Sequence, residues 1–145
     1  MKVIILGSGR VGSSIATSLA ATGHDVSVID NDPDSLLRLG GDEFKGDFHV
    51  GEAMDPDVLE RAGIEHADAF MASTDDDNTN VVIAQIAQRR YQVEKVVVRV
   101  FDPEKAAFYQ DRGLTVVCPT LRAIGEMIAA VDPTSASAEA PRPVA

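Results

Sequence analysis

The chain has 145 residues, 45% of them apolar, with 23 acidic against 13 basic side chains for a net charge of −10. That length fits one domain around one core, and the negative charge repels nucleic-acid phosphates and anionic lipid headgroups, excluding both as direct partners. No apolar run is long enough to cross a bilayer, no secretory leader precedes the first strand, and the lone Cys118 closes no internal disulfide, so a cytoplasmic domain without direct membrane insertion is expected.

Lys2–Leu6 opens the chain as an apolar strand, and apolar residues at three- and four-residue spacing then predict a helix over Val11–Ala21. Strands are expected at Asp25–Ile29, more weakly at Phe48–Val50, and at Ala69–Ser73, Lys95–Phe101 and Thr115–Cys118. Between them lie helical patterns over Pro33–Leu39, Pro56–Ala62, Asn78–Arg90 and Pro103–Arg112. Asp32-Pro33, Asp55-Pro56 and Asp102-Pro103 repeat one start signal, a carboxylate cap followed by proline at the first helical position. Gly23, Gly40, Gly63 and Gly113 mark helix ends. The alternation of six strands with helices predicts an α/β fold with a parallel sheet covered on both faces.

After Pro119 a further helix carries Leu121, Ile124, Met127 and Ile128 as an apolar stripe. It has no strand to return to, so it is a crossover-type helix that packs on its own domain or reaches a second copy. The domain is expected to span residues 1–131, with 132–145 a disordered tail or linker because they are small, polar and proline-rich.

Gly7, Gly9 and Gly12 form G-x-G-x-x-G between an apolar strand and an amphipathic helix. In that context the first glycine allows a tight turn, the second a close approach of a pyrophosphate and the third close helix–sheet packing, with the anion at the helix N-terminus. Ser8 and Val11 complete this loop, and Arg10 can add a bidentate guanidinium to the phosphates. Asp30, 18 residues beyond Gly12 at the end of the second strand, suits the hydroxyls of an adenosine ribose and disfavours a 2′-phosphate, with Asn31 beside it. This favours NAD(H) or ATP/ADP over NADP without ranking the two. Asp32 is a helix cap.

Glu52 and Ala53 follow the third strand on the ligand side of the sheet, where Glu52 either meets the adenosine or is a surface acid. Thr74, Asp75 and Asn78 belong to STDDDNTN after the fourth strand, facing the crevice, while the three aspartates also suit the positive end of the next helix. Arg99 interrupts an apolar strand and needs a partner; an ion pair with an acid is the preferred expectation, the crevice or a dimer interface the alternatives. Tyr91 and Lys95 imitate a Y-x-x-x-K catalytic pair, but the chain leaves the helix between them. Cys118 reads as a small buried hydrophobe, and neither the scattered His24, His49 and His66 nor the aspartate run makes a metal site, so no metal ligand and no catalytic residue is expected.

With these residues in place the sequence resembles the RCK, or KTN, regulatory domains of potassium channels and Trk/Ktr-type potassium uptake systems. The likeness runs from Met1 to about Val131 through VIILGSGRVGSSIA, VSVIDNDP, GEAMDPDVLERAGIEHADAF, STDDDNTN and VVVRVFDPEKAAFYQDRGLTVVCP. It implies a Rossmann domain, a doubly wound six-stranded parallel sheet of order 3-2-1-4-5-6, that binds NAD(H) or ATP/ADP, forms a homodimer or higher oligomer and governs an integral membrane potassium-translocating subunit, held peripherally at the inner face of the membrane. It implies ligand roles for Gly7, Gly9, Arg10, Gly12, Asp30, Glu52, Thr74, Asn78 and Arg99. Family members often carry an acid after the proline that ends the sixth strand; Thr120 stands there, so no cation site is expected. Many also carry a C-terminal ligand-binding domain, so a fragment or a short natural form is expected. The expectation is a nucleotide-sensing regulator without chemistry of its own, the alternative being the cofactor-binding part of an NAD-dependent oxidoreductase.

Overall fold

The computed structural model describes residues 1–137. In chain order they form β1 (Lys2–Leu6), α1 (Arg10–Ala21), β2 (Asp25–Asp30), 3-10 helices at Pro33–Leu39 and Gly41–Glu43, β3 (Asp47–Val50), α2 (Pro56–Arg61), a 3-10 turn at Ile64–His66 and β4 (Ala69–Ala72). Then come α3 (Asp77–Arg89), β5 (Lys95–Arg99), α4 (Pro103–Gln110), β6 (Thr115–Val117), α5 (Pro119–Val131) and a 3-10 helix at Pro133–Ser137. Most of the expected 132–145 tail thus lies outside the described residues.

The strands form one all-parallel sheet of order β3-β2-β1-β4-β5-β6. β1 is central, with Ile5 opposite Val28 on one side and Met71 on the other. Alternate β1 residues serve opposite faces: Val3 and Ile5 pack with Val26, Val28 and Ala16 of α1, whereas Ile4 and Leu6 join Phe70, Ile83, Ala84 and Val98. Burial on both faces explains why β1 and β2 read as near-continuous apolar runs.

The start signals act as read. Asp32, Asp55 and Asp102 each accept a hydrogen bond from the amide two residues on, at 2.8–3.0 Å, and the four helix-end glycines have φ between 88° and 98°. Several element bounds differ from expectation by a residue or two, and three differences bear on the site. Pro33–Leu39 is a 3-10 rather than an α-helix. β5 stops at Arg99, because the Asp77 carboxylate accepts the N–H groups of Phe101 (2.8 Å) and Asp102 (3.0 Å) that a longer strand would give to the sheet. α3 starts one residue early, at Asp77, because the Asp76 carboxylate caps it through the Thr79 amide at 2.7 Å. Tyr91 lies past α3 and donates to Glu60 at 3.1 Å, while Lys95 opens β5, so the two share no helix face.

No residue of α5 is buried; Leu121 touches the core from a partly exposed position, while Ile124, Met127 and Ile128 stay open. Among the described residues no helix is long and apolar enough to cross a membrane.

Ser27, in the middle of β2, is 1% exposed and its hydroxyl has no hydrogen-bond partner. A buried hydroxyl left unpaired is destabilising. Ser27→Ala is therefore expected to stabilise the domain by about 1 kcal/mol, read as a higher urea midpoint at unchanged slope; a lower midpoint would show that the hydroxyl is satisfied.

Candidate functional site

The strand order reverses between β1's two neighbours, β2 and β4, and the crevice beyond their C-terminal ends is where open α/β sheets bind ligands. A cleft of about 420 Å³ opens there. Its walls come from the β1–α1 turn, the end of β2, the 3-10 helix that follows, Gly51–Ala53, the β4–α3 loop and Arg99.

Gly7 turns the chain out of β1 with φ at 92°, a left-handed conformation that a side chain disfavours, and its amide donates to Ile29 O at 2.9 Å. Gly9 precedes α1 as its cap without a capping side chain, and a Cβ there would meet nothing within 4 Å, so this backbone faces open space. The first turn of α1 therefore presents amides that no helical carbonyl can take, with the positive end of the helix dipole behind them. Gly12 lies behind the turn, where a Cβ would overlap the carbonyl oxygen of Gly7.

Asp30 faces this helix start. Its Oδ2 accepts both the amide and the hydroxyl of the fully buried Ser8 at 2.8 Å, and its Oδ1 accepts the Asp32 amide at 2.9 Å. Burial alone would raise its pKa, but the amides of Asp32 and Ser8 and the hydroxyls of Ser8 and Ser35 together hold the carboxyl below its ordinary value, so it is ionised at neutral pH. Three strong donors fix it, and Oδ1 keeps acceptor capacity toward the cleft. Beside it the Asn31 amide donates to Glu52 at 3.3 Å.

Across the cleft, Asn80 organises the β4–α3 loop. Fully buried, it accepts the Thr74 amide (2.9 Å) and hydroxyl (2.6 Å) and donates to Thr74 O (2.9 Å) and Arg99 O (3.0 Å). Arg99 donates through Nη2 to Ser73 O (2.6 Å) and Thr74 O (2.8 Å). This corrects the preferred expectation of an ion pair: no acid bridges Arg99 among the described residues, because the loop carbonyls left over at the end of β4 take its protons. Burial pushes the guanidinium down from its usual pKa, opposed by the more distant Asp75 and Asp77.

Of the residues nominated from sequence, Gly7, Gly9, Asp30, Asn31, Glu52, Ala53, Thr74, Asp75 and Arg99 line the cleft. Ser8 stands behind Asp30 and Gly12 behind Gly7. Arg10 and Val11 are exposed on α1 and do not line it. Asn78 does not line it either; its side-chain oxygen accepts from Lys105 at 3.2 Å. The sequence reading missed Ser35, Arg38, Thr79 and Asn80. Ser35 and Arg38 are in register on the 3-10 helix, where residues three apart eclipse, and Arg38 donates weakly to the Ser35 hydroxyl at 3.4 Å. The available signal for Asn80 was an amide in line with Ile83, Ala84 and Ala87 on a buried helix face. Acids outnumber the two arginines on the cleft wall, so a bound anion depends on the α1 amides together with Arg38 and Arg99.

Residues 3–120 match the model of the TrkA-N domain family. The chain belongs to the TrkA-N domain family. This TrkA-N domain is 40% identical over 136 residues to the Trk system potassium uptake protein TrkA of Streptomyces coelicolor, an alignment that covers 94% of this chain and 60% of that one. It thus spans 58–60% of the TrkA relatives from Streptomyces coelicolor and Mycobacterium tuberculosis and 22–23% of those from Vibrio alginolyticus and Azorhizobium caulinodans. Among solved structures it resembles the Shewanella denitrificans Kef CTD in its AMP-bound form, with a TM-score of 0.77 and 26% identity over 94% of this chain and 84% of that one. A GsuK channel bound to NAD shares the fold of this TrkA-N domain, at TM-score 0.69 and 19% identity over 88% of this chain and 23% of that one. The six-stranded Rossmann arrangement is common to such neighbours.

Proposed function

We propose that this TrkA-N domain is a nucleotide-sensing regulatory module of a potassium uptake system, binding an adenine nucleotide, NAD(H) or ATP/ADP, in the switch-point cleft and performing no chemistry on it. The observation that carries the reading is the pairing across one cleft of an uncapped helix start, built on Gly7 and Gly9, with an ionised carboxylate at Asp30. The first suits phosphate and the second a ribose hydroxyl. The AMP in the Kef CTD relative and the NAD of the GsuK channel support a nucleotide, and the potassium uptake role of the TrkA relative supports a transport partner. The partner is then an integral membrane potassium-translocating subunit, engaged from the cytoplasmic side by a homodimer or higher oligomer of this chain. Cleft-lining Asp75 and Thr79 lie on the loop and helix start opposite the glycine turn, so nucleotides with different phosphate ends contact them differently. Such differential contact is what shifts a conformational equilibrium, at typically 1–3 kcal/mol. The cleft wall presents no histidine, cysteine, lysine or tyrosine for acid–base work among the described residues.

A ligand of the folded state must stabilise it, by about 2.7 kcal/mol at a hundredfold excess over Kd. ADP or NADH at saturation is therefore expected to raise the Tm of the parent chain. Asp30→Ala is expected to weaken binding by about 1–3 kcal/mol through loss of a charge-assisted hydrogen bond. Unchanged Tm with every adenine nucleotide, or steady NADH turnover against added substrates, would refute the sensor.

A further inference from the structure

We infer that Ser8 is a positioning residue: its hydroxyl aims the Asp30 carboxylate at the ribose without touching the ligand itself. The inference rests on the adenine-nucleotide reading above and concerns what holds that acceptor in place. Ser8 is the middle residue of the glycine turn, yet it has no exposure to solvent, and the cleft wall passes from Gly7 to Gly9 without it. A ligand in the cleft therefore meets the two glycines and not the hydroxyl between them.

Turned inward, that hydroxyl donates to Asp30 Oδ2 at 2.8 Å, and the amide of the same residue donates to the same oxygen at 2.8 Å. The Gly7 amide donates to Ile29 O at 2.9 Å. Two successive residues of the turn are thus tied to the last two residues of β2. Any residue at position 8 has the amide; the hydroxyl is what serine adds.

A carboxylate oxygen accepts about two hydrogen bonds. Oδ2 is filled by the two donors of Ser8, and Oδ1 takes the Asp32 amide at 2.9 Å, so the ribose is left the remaining position on Oδ1. Rotating the carboxyl group breaks bonds at both oxygens at once. Without the hydroxyl, Oδ2 keeps an unfilled acceptor position on the side closed to water, which disfavours the charge and loosens the aim of the group. From the 3-10 helix, the hydroxyl of Ser35, 1% exposed, adds to the support of the ionised carboxyl.

Calorimetric titration of the whole chain with ADP and with 2′,3′-dideoxy-ADP, which lacks both ribose hydroxyls, tests this. The parent chain is expected to bind ADP more tightly than the dideoxy form. Ser8→Ala is expected to weaken ADP by about 5- to 20-fold, the loss of one hydrogen bond to a charged group, and to leave dideoxy-ADP within about twofold. In an Asp30→Ala background the same substitution is expected to change ADP affinity by less than about twofold, because both act through one contact. Ser8→Cys keeps the shape with a weak donor and is expected to show the same selective loss. Equal losses for the two nucleotides would make the hydroxyl a support of the turn alone and overturn the inference while the adenine site stands. An ADP affinity that is unchanged or raised overturns it too, as does failure of both variants to fold. A parent chain that binds the two nucleotides equally removes the ribose contact itself, and one that binds neither overturns the site as well.

Discussion

Gly12→Ala is expected to lower the unfolding free energy by about 3 to 5 kcal/mol, the upper range for a single substitution. The added methyl would overlap the Gly7 carbonyl oxygen and come within 2.9 Å of Gly7 C and Ser73 Oγ. Two of those atoms are main chain, and the Gly7 carbonyl is pinned because its own amide is bonded to Ile29 and its oxygen accepts from Ser73. Relief requires α1 to move off the sheet, which also displaces the amides that face the cleft. Thermal denaturation reads the first effect and nucleotide titration the second. Gly9→Ala is the matched control: Gly9 has φ −66° and ψ −163°, which alanine tolerates, and the methyl would stand in open space. It should cost under about 1 kcal/mol of stability, as at a helix cap, yet weaken nucleotide binding. A Gly12→Ala protein with the parent Tm would remove the argument that close helix–sheet contact requires this glycine.

Asn80→Ala is expected to cost about 3 kcal/mol. Truncation leaves Thr74 N–H and Arg99 O without the side-chain partner that now satisfies them, while Thr74 O keeps Arg99 Nη2, at a residue with no exposure to solvent. Each unsatisfied buried group typically costs about 1–3 kcal/mol, and water reaching the cleft side offsets part of the sum. The same change frees Thr74 from α3, so the loop that carries Thr74 and Asp75 into the cleft loses its anchor. Equilibrium unfolding in urea measures the loss. A change of under about 0.5 kcal/mol would place Asn80 among ordinary surface positions and contradict its four hydrogen bonds.

Patterns that act locally were legible in the sequence. Asp32-Pro33, Asp55-Pro56 and Asp102-Pro103 announce their helices because cap and proline work within one turn. The parallel sheet followed from alternation of strand and helix, and Asp30 and the glycine turn met at one cleft because neighbouring parallel strands end together. What stayed hidden depends on contacts between distant segments. Arg99 was expected to seek an acid, since nothing in the sequence tells which carbonyls remain unpaired at the end of β4. Asn78 and Asn80 sit two apart on the same helix, and only the packing of α3 against β4 and β5 decides that Asn80 points inward and Asn78 toward Lys105. The 3-10 form of Pro33–Leu39 was equally invisible, because apolar spacing of three suits either helix, and with it went the placement of Arg38.

One carboxylate, Asp77, does what a strand ladder would otherwise do at the exit of β5. Because that carboxylate belongs to the first turn of α3, it ties the loop over the cleft to the segment leading into α4, beside the Asn80–Arg99 and Asn78–Lys105 bonds, and Thr120 extends the join to the head of α5. The β4–α3 loop over the cleft and the head of the last helix are thus joined by side-chain hydrogen bonds that run through the Phe101–Asp102 backbone.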